Sequence, residues 1–406
     1  MYDWAVLWHW AEFAVRWLHV VTAIAWIGSS FYFIALDLGL HRDRRLASGA
    51  DGEEWQVHGG GFYHIQKYLV APERMPADLT WFKWESYATW LSGFALLVLV
   101  YWIGGELFLI DPTVLDIPVW QGALISAASL AFGWVAYDAM CRSRFGDEPL
   151  RLMLGLFALI VLMALFYTAV FSGRAALLHL GAFTATIMTG NVFFTIIPNQ
   201  KIVVADLLAG RRPDAKYGRI AKQRSTHNNY LTLPVIFLML SNHYPLAFGG
   251  ENAWAIASLV FLMGVTIRHW FNTVHARKGH PHWTWAATVL IFLAIAWLSA
   301  PQAFTPERAD ARAPTAEALR RMDSPHWEAA RDIVLGRCAM CHAAEPYWGR
   351  LLWPPKGVML ETDAQIAGQA QAIRLQAALS RAMPPGNLTG LTEEERAVLR
   401  AWTEGG

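Results

Sequence analysis

Along most of this chain apolar residues do not alternate with polar ones; they run. Predominantly apolar stretches of about twenty residues recur as far as residue 300, the length a helix needs to cross ~30 Å of hydrocarbon. Eight spans are predicted, at roughly 11–38, 86–108, 119–137, 151–172, 175–197, 230–246, 252–273 and 283–300. Longer connections lie at about 39–85 and about 198–229. After Ala300 the pattern breaks. PQAFTPERADARAPTAEA is rich in Pro, Ala and charge and reads as a linker. Three helices are expected beyond it. The first follows Ser324-Pro325 and runs toward Cys338. The second starts near Asp363, and the third near Leu391, where Thr392 and Glu395 form a capping box. The expectation is an all-α chain: a polytopic helical membrane bundle of about eight spans over 1–300, a linker over 301–323 and a small helical domain over 324–406.

Composition agrees. Hydrophobic residues make up 55% of the 406 and charged ones only 16%, against the roughly 25% of soluble domains. That excludes an ordinary soluble enzyme. The net charge of +1 decides nothing, but its distribution does. The first connection carries Arg42, Arg44, Arg45, Lys67, Arg74 and Lys83. The third carries Arg142 and Arg144. The fifth carries Lys201, Arg211, Arg212, Lys216, Arg219, Lys222 and Arg224, and the seventh Arg277 and Lys278. The connections around 111–118 and 243–251 carry no Lys or Arg, and only Arg174 breaks the rule. Odd-numbered loops are therefore expected in the cytoplasm and both termini outside. MYDWAVLWHWAEFAV lacks the basic start of a signal peptide, so the topology itself would export the C-terminal domain.

Two of the three cysteines stand in GRCAMCHAAEP, as Cys338 and Cys341, with His342 directly after; Cys141 has no partner left for a structural disulfide. Cysteines at this spacing form thioethers to the two vinyl groups of a haem, and the adjacent histidine supplies an axial nitrogen. Met383, in RAMPPGN, is the expected sixth ligand, with Met359 the alternative. A redox dithiol or half a zinc site is the competing reading, but no second CxxC or histidine pair follows. This domain resembles the small class I cytochromes c. In that family the first and last helices cross; here Ala330 and Val334 would meet Leu399 and Trp402. Haem c belongs on the outer face, where the charge pattern independently puts the C-terminus.

Polar residues within spans are expensive and tend to be functional. His19 and His179 lie at similar depth on the outer side and are candidates to ligate a b-type haem between them; the alternative is two hydrogen-bonded core histidines. The cytoplasmic side is denser. QRSTHNNYLTLP supplies Ser225, Thr226, His227, Asn228 and Asn229, and RHWFNTVHARKGHPH supplies Arg268, His269, Asn272 and His275, with Arg268, Asn272 and His275 on one helical face. VHGGGFYHIQKY adds His58, Gly59 to Gly61, His64 and Lys67, its glycines suited to a tight turn. Arginine grips two acceptors, asparagine reads donor and acceptor edges, and histidine moves protons. That set suits a planar anion with many acceptors. His64, Lys67, Thr226, His227, Asn228 and Arg268 are the candidate catalytic residues; His269 is a further catalytic candidate, or pairs with His227 around a second haem. Singly, each also reads as an ordinary interfacial residue.

The order of RWLHVVTAIAWIGSSFYFIALD, HGGGFYHIQKY, WFKWESYATWLSG, STHNNYLTLPVIFLMLSNHYP and the CAMCH domain resembles the cytochrome-c-linked membrane urate oxidases over nearly the whole chain. The resemblance implies two-electron oxidation of urate, with hydration to 5-hydroxyisourate. Electrons would pass to the fused haem c and on to a soluble or membrane cytochrome c or a terminal oxidase, without H2O2. It also implies a bacterial inner membrane, lipid as the surrounding partner and no nucleic acid. The alternatives are oxidation of a quinol or another small reductant, and transport with a cytochrome sensor or reductase.

Overall fold

The computed structural model describes the chain apart from residues 1–3, 44, 69–75, 77, 300–313, 349–350, 352–353 and 405–406. Arg44, Arg74 and most of the expected linker therefore lie outside the described residues. Eight long helices build the N-terminal part: α1 Trp4–Gly39, α2 Trp84–Ile103, α3 Val119–Arg142, α4 Pro149–Val170, α5 Gly173–Leu208, α6 Ala215–Leu240, α7 Ala253–His275 and α8 Trp283–Leu298. Six of them, α1 to α5 and α7, are long and apolar enough to cross a membrane. The α8 helix is apolar but has only 16 residues. The α6 helix has 26 but carries Lys216, Arg219, Lys222 and Arg224 in its first half; the expected span at 230–246 is its apolar second half. Trp17, Ile24, Leu124, Val135, Leu290 and Trp297 are exposed on the outside. A surface of that kind fits a multi-pass membrane protein.

Two expectations about the connections are corrected. The first is not all loop, because β1 (Ala50–His58) and β2 (Gly61–Tyr68) pair antiparallel. His58 pairs with Gly61 across a two-residue turn, and Gly59 and Gly60 take φ of 60° and 82°, which glycine adopts without penalty. So the chain is not wholly α. The second connection is mostly helix: α5 continues to Leu208 and α6 starts at Ala215.

Small residues set the helix spacing, as packing between spans demands. Gly122, Ser126, Ser129 and Gly133 are buried along α3. A Cβ on Gly133 would come within 2.3 Å of the Phe183 ring, and one on Gly190 within 2.5 Å of Trp134. Pro234 inside α6 nests on Gly264 of α7, where a Cβ would meet its ring at 2.5 Å. In α5 the turn Asn191–Ile196 widens to π geometry just before Pro198, whose missing N–H cannot continue the ladder.

The bundle has two distinct ends. At the hairpin end Lys67 and Lys222 both pair with Asp37, Arg277 donates to His41 at 2.8 Å, and Gln223 donates to the Gly146 carbonyl at 2.9 Å. At the other end Ser172 N bonds Leu109 O at 2.9 Å, and Asn242 donates to Tyr101 Oη at 3.0 Å. Arg174, at the start of α5, donates to the Lys356 carbonyl of the C-terminal domain at 2.8 Å.

That domain begins before residue 324. Helix α9 (Ala316–Met322), capped by Thr315, lies where linker was expected, because Ala318 joins the C-terminal core and the Arg321 carbonyl accepts from Trp402 Nε1 at 3.0 Å. Then come α10 (Trp327–Arg337), α11 (Ala339–His342), α12 (Asp363–Gly368) and α13 (Glu393–Glu404). The single helix expected from Asp363 is broken: after α12 follow a short turn at Ala370–Ile373 and a π turn at Arg374–Ala378. Ala330 and Val334 meet Leu399 and Trp402 in one fully buried cluster, as expected. The capping box at Thr392 and Glu395 is also present.

Candidate functional site

The polar residues of α6 divide between two faces. One face enters a buried network with α3 and α5. Asn191, carried inward on the π turn, donates to Tyr137 Oη at 3.1 Å and to Asn228 Oδ1 at 2.9 Å. Tyr137 Oη then donates to His227 Nδ1 at 2.7 Å. Arg224, 2% exposed, lies over the Tyr137 ring, donates to Asn191 Oδ1 at 3.2 Å and pairs with Asp138 at 2.7 Å. Buried charge persists only when paired in this way. The other face carries Asn229. Its Oδ1 accepts from Arg268 Nε at 3.3 Å and Asn272 Nδ2 at 3.0 Å, and Arg268 also donates to Asn272 Oδ1 at 3.1 Å. The Arg268 guanidinium stacks on Phe31 of α1, 4.2 Å from the ring centre. Asn229 Nδ2 is buried and has no partner among the described residues.

Below Arg268, toward the hairpin end, a cleft of ≈ 310 Å³ opens between α1, β1 and the end of α7. Tyr32, Gly39, Glu54, Gln56, His275 and Arg277 line it. Beside it the hairpin is pinned by ion pairs. His64 donates to Glu53 at 2.8 Å and stacks on Trp55, and Lys67 joins Asp37. Burial first, and then the charge of Lys222, hold the Lys67 ammonium below its ordinary 10.5.

The expected candidates thus separate. His227 and Asn228 share one network, Arg268 belongs to the second, and His64 and Lys67 stand on the hairpin. Thr226 spends its hydroxyl on the Lys222 carbonyl at 2.9 Å. Tyr137, Asp138, Asn191, Arg224 and Glu54 were not foreseen. Asn191 had a sequence signal in the proline seven residues after it, which disturbs the helix there; Glu54 had none.

The two haem pairings proposed within the membrane do not fit this packing. His179 is fully buried, donates through Nδ1 to Ala175 O at 2.7 Å and accepts through Nε2 from Ser126 Oγ at 2.9 Å, with Tyr101, Tyr167 and Phe171 around its ring. His19 packs on Gly93 of α2 and donates to Thr89 O at 3.0 Å. Helix α2 lies between them, since Trp90 on that helix bonds Thr186 of α5. His227 and His269 also part: His227 faces Tyr137, whereas His269 lies 5.8 Å from Trp283 and 3.4 Å from Tyr230 Oη. Of the pair on the outer side, His19 alone keeps an Nε2 outside these bonds.

The CxxCH residues do fit a c-type haem. His342 Nδ1 donates to Val358 O at 2.9 Å. That fixes the tautomer and leaves the Nε2 lone pair for iron, the second-shell arrangement of ligating histidines. Burial lowers the pKa of this imidazole from its ordinary 6.5, favouring the neutral form a ligand needs. Burial also pushes the Cys338 thiol up to about 11 and raises that of Cys341. Among the described residues no three His, Cys, Asp or Glu side chains converge as a metal site. Met383 packs at the edge of the domain core, on a loop that Arg396 clamps by donating to the carbonyls of Ala377, Ser380 (3.3 Å) and Met383 (3.1 Å). Met359 is 7% exposed within the same domain.

Fold and site together define a multi-pass helical protein of membrane type, with its polar chemistry gathered at one end of the bundle and a CxxCH-bearing helical domain attached. The chain belongs to the urate oxidase N-terminal family, whose model matches residues 5–299. That match points to an oxidoreductase acting in urate chemistry. No curated protein and no solved structure matches it.

Proposed function

We propose that the chain is a membrane urate oxidase that delivers the electrons of urate to its own C-terminal haem c. The observation that carries the reading is the family match across all eight long helices, on a chain that also holds a CxxCH with a correctly oriented histidine. With all eight long helices taken as crossings, the basic loops at the hairpin end would place that end in the cytoplasm and both termini outside. The urate site then lies on the cytoplasmic face and the haem c domain on the periplasmic face of a bacterial inner membrane.

Urate monoanion and water give 5-hydroxyisourate, one proton and two electrons. The protein has three tasks: to hold a planar anion, to take the proton, and to carry electrons away singly. Arg268, held in place by Asn229, Asn272 and Phe31, supplies positive charge without being consumed by a carboxylate. The orphan Nδ2 of Asn229 beside it is a donor awaiting an acceptor. Cys338, Cys341, His342 and Met383 would hold the haem, which would supply a one-electron acceptor. An exposed cytochrome c or terminal oxidase is the onward acceptor.

The test is anaerobic. Urate added to oxidised, haem-loaded protein should bring up the reduced α-band of the c-type haem. An unchanged spectrum with intact haem would reject urate as donor, and reduction by a quinol alone would favour the same architecture with a different reductant.

A further inference from the structure

We propose that the cleft between α1, β1 and the end of α7 is the seat of the oxidised ring, with Glu54 and His275 as the groups that read and deprotonate it. The proposal rests on the urate reading and adds the residues. Glu54 Oε2 and His275 Nδ1 are both buried, and neither has a partner among the described residues. Both residues line the same cleft. Leaving a buried carboxylate oxygen and a ring nitrogen unpaired is costly, so two residues that line one cavity, each with a polar atom closed off and unpaired, point to a ligand that draws those atoms out and pairs them. A second feature shows that the carboxylate belongs there: a Cβ on Gly39 would come within 2.9 Å of Glu54 Oε2. Glycine as the last residue of α1 thus leaves room for the carboxylate where it stands.

The donor set selects the chemistry of the ligand. Glu54 accepts only, so the edge that meets it must bear N–H groups. Tyr32 Oη donates to Gln56 Oε1 at 2.7 Å, which turns the Gln56 amide N–H2 outward as a donor to a ring carbonyl. Arg277, whose NH1 is anchored on His41, supplies positive charge at the rim. Alternating N–H and C=O around a planar ring with a single negative charge answers all of these; an oxopurine has that edge. Phosphates and simple carboxylates present acceptors alone and would be repelled by Glu54. His275 Nδ1 is the group able to take the one proton released, and Asn272 and Arg268 lie one and two turns above it on the same face of α7.

The full-length chain in lipid nanodiscs is the test. The rate of α-band reduction is followed against urate concentration, and binding of xanthine, a non-reducing oxopurine, is followed by calorimetry. Glu54→Gln should raise KM for urate and Kd for xanthine about tenfold or more. Gly39→Ala should do the same from the neighbouring helix. His275→Gln should lower the saturating rate more than it changes KM. Haem content and melting temperature should match the wild type in all three. Wild-type affinity and rate in both Glu54→Gln and His275→Gln would overturn the cleft and leave the urate reading intact. If urate fails to reduce the wild type, the reaction assignment falls; xanthine binding weakened by Glu54→Gln would then still uphold the cleft, and absence of xanthine binding would overturn it.

Discussion

His342 and Met383 are held by quite different means. His342 is fixed by one hydrogen bond to Val358 O, whereas Met383 depends on its loop, and the loop depends on Arg396. The guanidinium of Arg396 is 4% exposed and spends NH1 on three loop carbonyls, those of Ala377, Ser380 and Met383. Two substitutions therefore separate the roles. Met383→Ala should lower the haem potential and open the iron to added imidazole or cyanide. Arg396→Met should leave the haem attached but weaken the Met–iron charge-transfer band, since the ligand remains and its support does not. A spectrum and potential unaltered in Met383→Ala would transfer the sixth position to Met359. The CxxCH was legible because attachment chemistry is local in sequence. Arg396 was not, because a carbonyl clamp has no motif. The surroundings of the membrane histidines were not legible for a related reason: depth along a span can be read by counting residues, but which neighbour a ring faces cannot. His179 turned to Ser126, and α2 came between it and His19.

At the scale of elements, spacing between helices follows from where the small residues are. Gly190 of α5 lies against the Trp134 ring of α3, itself stacked on Phe194. Gly218, near the start of α6, has nothing within 4 Å. The same change at each should therefore have opposite signs. Gly190→Ala overpacks the α3–α5 contact and should cost about 1–3 kcal/mol. Gly218→Ala gains helix propensity and should stabilise by about 0.5–1 kcal/mol. Thermal melts of the purified chain distinguish them. In the C-terminal domain, Glu395 of α13 pairs with Arg337 of α10 at 2.9 Å. Burial alone would raise its pKa, but the Arg337 hydrogen bonds and charge and the Thr392 N–H outweigh burial and hold it below its ordinary 4.5. Because the folded value is depressed, this contribution is complete above 4.5 and is lost as pH falls through the folded pKa. The stability gap between wild type and Glu395→Gln should therefore close on acidification below 4.5; a gap independent of pH would deny the coupling. The Thr392–Glu395 box was readable from spacing, and the Ala330–Leu399 crossing from the resemblance to class I cytochromes c. The β-hairpin was not, because Gly59 to Gly61 announced a turn while the alternation in EEWQVH and FYHIQKY is too weak to announce two strands.

For the molecule as a whole, the apolar runs were enough to predict a bundle of long helices, six of which are long and apolar enough to cross a membrane. The α6 helix mixes four basic residues with its apolar half, so it fails on hydropathy even though it lies amid the bundle and bears both polar networks. The cleft was invisible for a different reason. Glu54, Gly39 and His275 come from three distant segments that meet only once α1, the hairpin and α7 are packed. In the proposed function these parts divide the labour: substrate would be oxidised at one end and electrons would leave through haem c at the other. The most direct measurement is a stoichiometric titration of the oxidised full-length protein with urate under argon, counting reduced haem c and 5-hydroxyisourate together. Two haem equivalents should be reduced for each urate consumed, and no H2O2 should appear when air is admitted. Urate consumption only in the presence of O2, with H2O2 formed and the haem still oxidised, would contradict it.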